Sequence, residues 1–357
     1  MSDVSTLDIK VDRVEQSKFK PYESDNLLMG KNFTDHMLVC DYTNGAWQTP
    51  VIMPYGNMEM SPALAALHYG QAIFEGVKAY RQPDGSVAIF RPEANWKRMN
   101  VSAKRMDMPE IPEEIFIGGL QRLLQIDSQW IPGFPETSLY IRPFMFSTDA
   151  FIGVKTSDTY RFCIILSPAG RYYAKPVNIY VQDEFIRAAP GGIGFTKAAG
   201  NYGASMYPTH SVKEKGFDQI LWTDAIHHKY VQEIGTMNVF FIVDGKALTP
   251  DLESGTILAG VTRDSIITLL KENNIPVEER PISIDELVSA YREGKLQEAF
   301  GSGTAASMSY IQSLTYQDET LQLKDVSEWT ISPKIKAQLD DIRYGRVADT
   351  HNWRFIV

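Results

Sequence analysis

Only two cysteines, Cys40 and Cys163, occur in the 357 residues, far apart and each inside an apolar run. That excludes a disulfide framework or a cysteine-rich zinc site and leaves both as small core residues. The six histidines form no ligand set. His227 and His228 are adjacent on an expected hairpin, so their side chains point to opposite faces. No apolar run approaches the ~20 residues that span a bilayer. The N-terminal Met-Ser-Asp-Val-Ser-Thr-Leu-Asp-Ile-Lys lacks an apolar core and mixes acids with bases. It therefore reads as neither a secretory leader nor an Arg-rich transit peptide. A basic surplus is missing too. The formal charge of -9 disfavours nucleic acid and anionic membranes as partners. A soluble cytoplasmic protein is the expectation. P-loop, dinucleotide glycine fingerprint, His-Glu-x-x-His, nucleophile elbow and internal repeats are all absent.

What is present is ordinary for a globular protein: 44% hydrophobic and 22% charged residues. The length exceeds what one hydrophobic core usually serves, so two domains are expected. The first ~30 residues are polar and are expected to lie loosely on the surface. Two hairpins follow. His36–Tyr42 and Trp47–Pro54 flank Asn44-Gly45, and Val77–Arg81 and Val87–Arg91 flank Pro83-Asp84-Gly85. Pro92 opens a helix where its missing N–H costs nothing, with Trp96, Met99 and Ala103 at helical spacing. A second helix is expected over 113–129, then strands over 138–147 and 160–166. Turn formers in 170–176 mark an interdomain loop between an N-terminal small α/β domain, 1–169, and a larger C-terminal domain, 177–357. In the latter, short antiparallel strands near 178–182, 218–223, 229–234, 237–243 and 247–249 alternate with helices near 202–215, 262–273, 284–293 and 332–342. The fold class is α/β (α+β) with a barrel-like sheet, not doubly wound.

Four segments could carry chemistry. In Gly191-Gly-Ile-Gly-Phe-Thr-Lys-Ala-Ala-Gly-Asn-Tyr-Gly203, Lys197 sits among small residues just before a helix. A flat ligand can approach such a backbone, and a lysine held there can form a Schiff base. A surface loop with an idle lysine reads the same way. Ala259-Gly-Val-Thr262 begins a helix, where the N–H groups of Val261 and Thr262 suit a phosphate, although Thr262 could equally serve as a cap. Phe300-Gly-Ser-Gly-Thr-Ala-Ala306 can wrap an anion or be a plain tight turn. Glu233, in a strand-like run, is either an edge charge or a buried acid with a cationic partner.

Taken in order, these segments resemble the branched-chain amino acid aminotransferases, members of the fold-type-IV pyridoxal-phosphate (PLP) enzymes. The resemblance runs from Gly30-Lys-Asn-Phe-Thr-Asp-His-Met37 to Tyr344-Gly-Arg346. It includes Gln71-Ala-Ile-Phe-Glu-Gly-Val-Lys-Ala-Tyr80, Asn95-Trp-Lys-Arg-Met99, Ser138-Leu-Tyr-Ile-Arg-Pro143, Lys197-Ala-Ala-Gly-Asn-Tyr202, Glu233-Ile-Gly-Thr-Met-Asn238 and Gly301-Ser-Gly-Thr-Ala305.

The resemblance implies that Lys197 binds PLP as a Schiff base and shuttles the substrate proton. It implies that Glu233 pairs with the pyridine nitrogen and Tyr202 with the phenolic oxygen. Arg98, the N–H groups of Val261 and Thr262, and Thr304 would hold the phosphate. Leu, Ile or Val would exchange an amino group with glutamate through their 2-keto acids. Phe74, Tyr69 and Tyr140 would surround Arg142, which takes the glutamate side-chain carboxylate. Tyr140 and the Thr304–Ala305 backbone would take the α-carboxylate, with Thr236 beside the pocket. Val154 matches a loop supplied by a partner subunit, so a homodimer is implied. Animal members carry a redox-active Cys-x-x-Cys where this chain has Ala306-Ser-Met-Ser309. A D-amino acid aminotransferase or aminodeoxychorismate lyase of the same fold would share the Lys, Glu and phosphate loops. A non-catalytic PLP carrier would bind cofactor without turnover.

Overall fold

The computed structural model describes residues 7–23, 25, 27–171 and 175–357. The expected interdomain loop at 170–176 runs through 172–174, which lie outside the described residues. The chain forms two compact units. The first comprises Met1–Tyr172, Thr196–Gly200 and Ile342–Val357; the second comprises Tyr173–Phe195 and Asn201–Asp341. The C-terminal end was expected in the second domain. Its strand Arg354–Ile356 instead pairs with Val87–Phe90 in the first unit's sheet, and this return makes the first unit the larger.

The first unit is built on a ten-stranded sheet. At its centre the ten-residue strands Ser138–Ser147 and Tyr160–Ala169 run antiparallel in unbroken register, from Ser138 opposite Ala169 to Ser147 opposite Tyr160. Both expected hairpins form. Asn44 and Gly45 have φ of 54° and 76°, the two positive values that a type I′ turn demands of its central residues. The helix Pro92–Arg105 starts at its proline and buries Asn95, Arg98, Met99, Ser102 and Ala103. A single helix over 113–129 does not form. A π-helical turn, Glu114–Gly118, leads into an α-helix, Gly119–Ile126, which ends at Asp127. Leu120, Leu123 and Leu124 are fully buried there, each worth ~1.5–3 kcal/mol relative to exposure.

The N-terminal stretch is not loose where it is described. Lys10–Val11 forms a parallel pair with Val51–Ile52, and the Tyr22 hydroxyl donates to the Trp130 carbonyl (2.7 Å). Asp35 accepts from Ser17, Lys18 and Trp130. Apolar residues Leu7, Ile9, Val11 and Phe19 pack on the core, which a polar average over the segment conceals.

The second unit is a nine-stranded curled sheet. It is mixed, not antiparallel as expected: Val177–Gln182 runs parallel to both Gln219–Thr223 and Ser307–Tyr316. The ten-residue strand Ser307–Tyr316 was not anticipated. Its Ser, Thr and Gln content masks a strand that buries Met308, Ile311 and Leu314 together with Ser309, Ser313 and Thr315. Asp244-Gly245 turns with both φ positive, as Asn44-Gly45 does. The expected 202–215 helix is two short ones, Ala199–Ala204 and Met206–Glu214.

Candidate active site

Seven of the residues singled out lie in the first unit. Lys197 is half-buried and its backbone is fixed at both ends. Its N–H donates to Ser102 Oγ (3.0 Å), its carbonyl accepts from the Phe74 N–H (3.1 Å), and Ala198 bridges to Ile73. The lysine segment thus adds to the edge of the strand Ala72–Phe74, and Lys197 Nζ lies 5.0 Å from the Phe74 ring centroid.

Tyr140 and Arg142, two apart on one strand, share a face. Arg142 Nη2 donates to the Tyr140 hydroxyl (2.9 Å). The guanidinium carbon lies 4.6 Å from the Phe74 ring centre and 5.2 Å from that of Tyr140, a cation–π arrangement with both. Its Nε is buried with no hydrogen-bond partner, and no carboxylate pairs with it among the described residues. Beside it is a cavity of about 320 Å³ lined by Ala72, Ile73, Phe74, Arg142, Phe144, Met145, Ile165 and Ala199. Those walls are almost wholly apolar. A Cβ on Gly76 would stand 2.5 Å from the Tyr140 hydroxyl, so this close approach requires glycine.

Arg98 is committed to Glu75, a fully buried carboxylate. Its Nε donates to Oε1 and its Nη2 to Oε2, both at 2.8 Å. Asn95 Nδ2 adds a third bond (2.8 Å). Removing one partner of such a buried pair typically costs ~3–5 kcal/mol. Tyr69 ends a short helix at 40% exposure, its ring against His68. No hydrogen bond or ring contact joins it to Arg142 or Phe74 among the described residues. The expected place for Tyr69, around the arginine, is therefore not seen within one copy. Val154 is 89% exposed, on a loop with exposed Phe151 and Ile152.

The second unit holds the rest. Glu233 is buried on the strand Val231–Ile234, so the edge-charge alternative is excluded. Its Oε1 accepts from the Leu258 N–H (2.8 Å), and its Oε2 lies 3.5 Å from Arg187 Nε. Arg187 also donates to the Gly194 and Thr256 carbonyls. Arg187, the cationic neighbour of Glu233, is a residue that sequence reasoning missed. A lone arginine in Phe-Ile-Arg-Ala-Ala-Pro, ahead of the glycine loop, was the available signal.

Val261 and Thr262 open the helix Val261–Glu272 and are buried. Gly260 is the N-cap and no side chain caps the helix, so Thr262 is not its cap. A Cβ on Gly260 would meet Asn238 Oδ1 at 2.0 Å, and Asn238 Nδ2 donates to the Leu258 carbonyl (2.9 Å). Thr304 and Ala305 are half-buried in the turn that joins Leu296–Gly303 to Ser307–Tyr316. Thr236 is exposed in the tight turn Ile234–Met237, whose Met237 side chain packs on Gly301 and Gly303. Tyr202 is half-buried in the helix Ala199–Ala204.

Residues 72–314 match the model of amino-transferase class IV. The chain is 46% identical over 354 residues to a "Probable branched-chain-amino-acid aminotransferase" of Staphylococcus aureus (strain N315), covering 98% of each. It is 47% identical over 341 residues to "Branched-chain-amino-acid transaminase 1" of Bacillus subtilis (strain 168), covering 94% of this chain and 95% of that one. Among solved structures, the branched-chain aminotransferase of Thermoproteus uzoniensis with norvaline superposes with a TM-score of 0.75 at 25% identity, covering 90% of this chain and 99% of that one. The fold and the family model define a PLP-dependent class IV aminotransferase. Within that class, the chain belongs to the branched-chain-amino-acid aminotransferase family.

The residues fit the cofactor. The first unit presents a half-buried lysine whose backbone is tied to its neighbours. In the second, the buried carboxylate of Glu233 supplies the anion that a protonated ring nitrogen requires, and the Gly260 helix start admits no Cβ. Helix starts of this kind accept phosphate.

Proposed function

We propose that this enzyme moves the amino group between leucine, isoleucine or valine and 2-oxoglutarate in two half-reactions. Arg142 is the observation that carries the substrate reading. A guanidinium with a buried, unpartnered Nε beside an almost wholly apolar cavity suits two substrates of opposite character. The apolar walls take the branched side chain, while Arg142 takes the side-chain carboxylate of glutamate. Tyr140, held by Arg142, and the Thr304–Ala305 backbone are assigned to the α-carboxylate, with Thr236 alongside.

Lys197 would hold PLP through Nζ, and in the second unit Glu233 would pair with its ring nitrogen and Tyr202 with its phenolic oxygen. Arg98, the N–H groups of Val261 and Thr262, and Thr304 would hold the phosphate. Bound PLP supplies an electron sink for the substrate α-carbon. Lys197 Nζ would then carry the proton between that carbon and the cofactor, in one direction in one half-reaction and in the reverse direction in the other. Glu233 stays oriented by the Leu258 N–H and charge-balanced by Arg187. We assign the working form to a homodimer in the cytoplasm, with the exposed apolar loop at Val154 and the exposed Tyr69 supplied to a second copy.

A visible spectrum of the purified enzyme tests the reading. The Lys197–PLP band should bleach with L-leucine and return with 2-oxoglutarate. A band unmoved by leucine would transfer the substrate assignment to a D-amino acid or lyase activity. A protein without the band after PLP is added would remove Lys197 from its role.

A further inference from the structure

Glu75 lies between two residues already placed at the site, Phe74 and Gly76, yet the reading above gives it no part. It is fully buried, and its backbone N–H donates to the Pro143 carbonyl (2.7 Å). Four donors converge on its carboxylate. Arg98 Nε reaches Oε1, while Arg98 Nη2, Asn95 Nδ2 and the Gly76 N–H (3.1 Å) reach Oε2. Asn95, Arg98 and Ser102 are spaced 3 and 4 apart on the helix Pro92–Arg105, so they share one face. That face grips the carboxylate with its first two members, and with the third it takes the Lys197 N–H. A single helix face therefore holds the buried anion and the backbone of the reactive lysine in fixed relation.

Burial pushes the Glu75 carboxyl up, but the charge and hydrogen bonds of Arg98, aided by the charge of Lys197 and by Asn95, hold it below the usual carboxylate range. Glu75 is thus an anion at neutral pH. The other ionisable groups described in this neighbourhood of the first unit are Arg98, Arg142 across the Phe74 ring, the Tyr140 hydroxyl, and the buried Lys78, which lies opposite Tyr140 on the adjoining strand. Among these, Glu75 is the carboxylate and the remaining charges are positive.

We propose that Glu75 is a positioning residue for transamination. Its buried negative charge, locked by Asn95 and Arg98, balances the cationic neighbours and favours the protonated form of the Lys197 nitrogen. The same fork fixes the orientation in which Arg98 is offered to the cofactor phosphate. The proposal rests on the reading of Lys197 as the Schiff-base lysine.

The test is a pH titration of the Lys197–PLP visible band in the holoenzyme of wild type, Glu75→Gln and Glu75→Asp. Glu75→Gln keeps the size and removes the charge, giving up one of the two acceptor oxygens. Its midpoint should fall by about 1 pH unit or more, the range an adjacent opposite charge produces. The kcat should fall about 10-fold at neutral pH, with KM for leucine much less affected. Glu75→Asp keeps the charge, so its midpoint should stay near that of wild type. A glutamine variant that titrates like wild type, losing activity only in step with PLP content and thermal stability, would make Glu75 merely structural. Should Glu75→Gln fail to fold, Glu75→Asp carries the test: a wild-type midpoint with weakened PLP retention supports the proposal, and a midpoint lowered by about a unit overturns it. Absence of the band in wild type would instead strike the Lys197 assignment.

Discussion

Arg142 brings a charge to an apolar cavity, and at the scale of single residues that is the most informative fact about specificity. Its Nη2 is bound to the Tyr140 hydroxyl and its plane is flanked by two rings, while its Nε has no partner. A ligand carboxylate adds a charge-assisted bond there, worth ~1.5–3 kcal/mol, or about 10- to 150-fold. Arg142→Met is therefore expected to raise KM for 2-oxoglutarate by that factor, with KM for leucine changed only a few-fold. Steady-state kinetics of the two half-reactions would measure this. Equal losses for both substrates would mean that Arg142 is a structural cation. The sequence pointed to Lys197 and Glu233 through their neighbours and to Arg142 through the family resemblance, but it did not disclose their partners. Ser102, Glu75 and Arg187 lie 95, 122 and 46 residues from the groups they serve. Separation of that size leaves no local pattern to read.

At the scale of elements, glycines where backbone or side chains come close set the local geometry. Gly260 has an ordinary φ of -71°, so its requirement is space, not strain. A Cβ there would collide with Asn238 Oδ1, and Asn238 braces Leu258, whose N–H fixes Glu233. Gly260→Ala is expected to cost ~1–3 kcal/mol of stability by overpacking. It should also weaken PLP retention, since both the helix start and the glutamate lose their register. Thermal melts with and without added PLP would separate the two effects. An unchanged melt and unchanged PLP affinity would show that Asn238 yields freely. Hairpins such as Asn44-Gly45 were legible because both central residues must take positive φ. The strand Ser307–Tyr316 was not, because Ser309, Ser313 and Thr315 are buried along with Met308, Ile311 and Leu314, so no apolar–polar alternation marks it.

At the scale of the whole molecule, the exposed apolar loop Phe151–Val154 is unaccounted for by either unit's core. Sedimentation should place the enzyme at twice the chain mass. Val154→Asp, which puts a charge on that loop, should shift it toward monomer and reduce leucine turnover. A fully active wild-type monomer would end the homodimer proposal. Local chemistry in the sequence determined the hairpins, most helices and the glycine loops, because turn residues and periodicity act over a few positions, while the role of Lys197 came from the family resemblance. Only the tertiary structure decided that residues 196–200 and the C-terminal strand join the first unit, that Glu233 is buried against Arg187, and that Arg98 grips Glu75. Those outcomes depend on sheet register and on charge pairing across long sequence separations. The energies that select them exist only once the chain has packed.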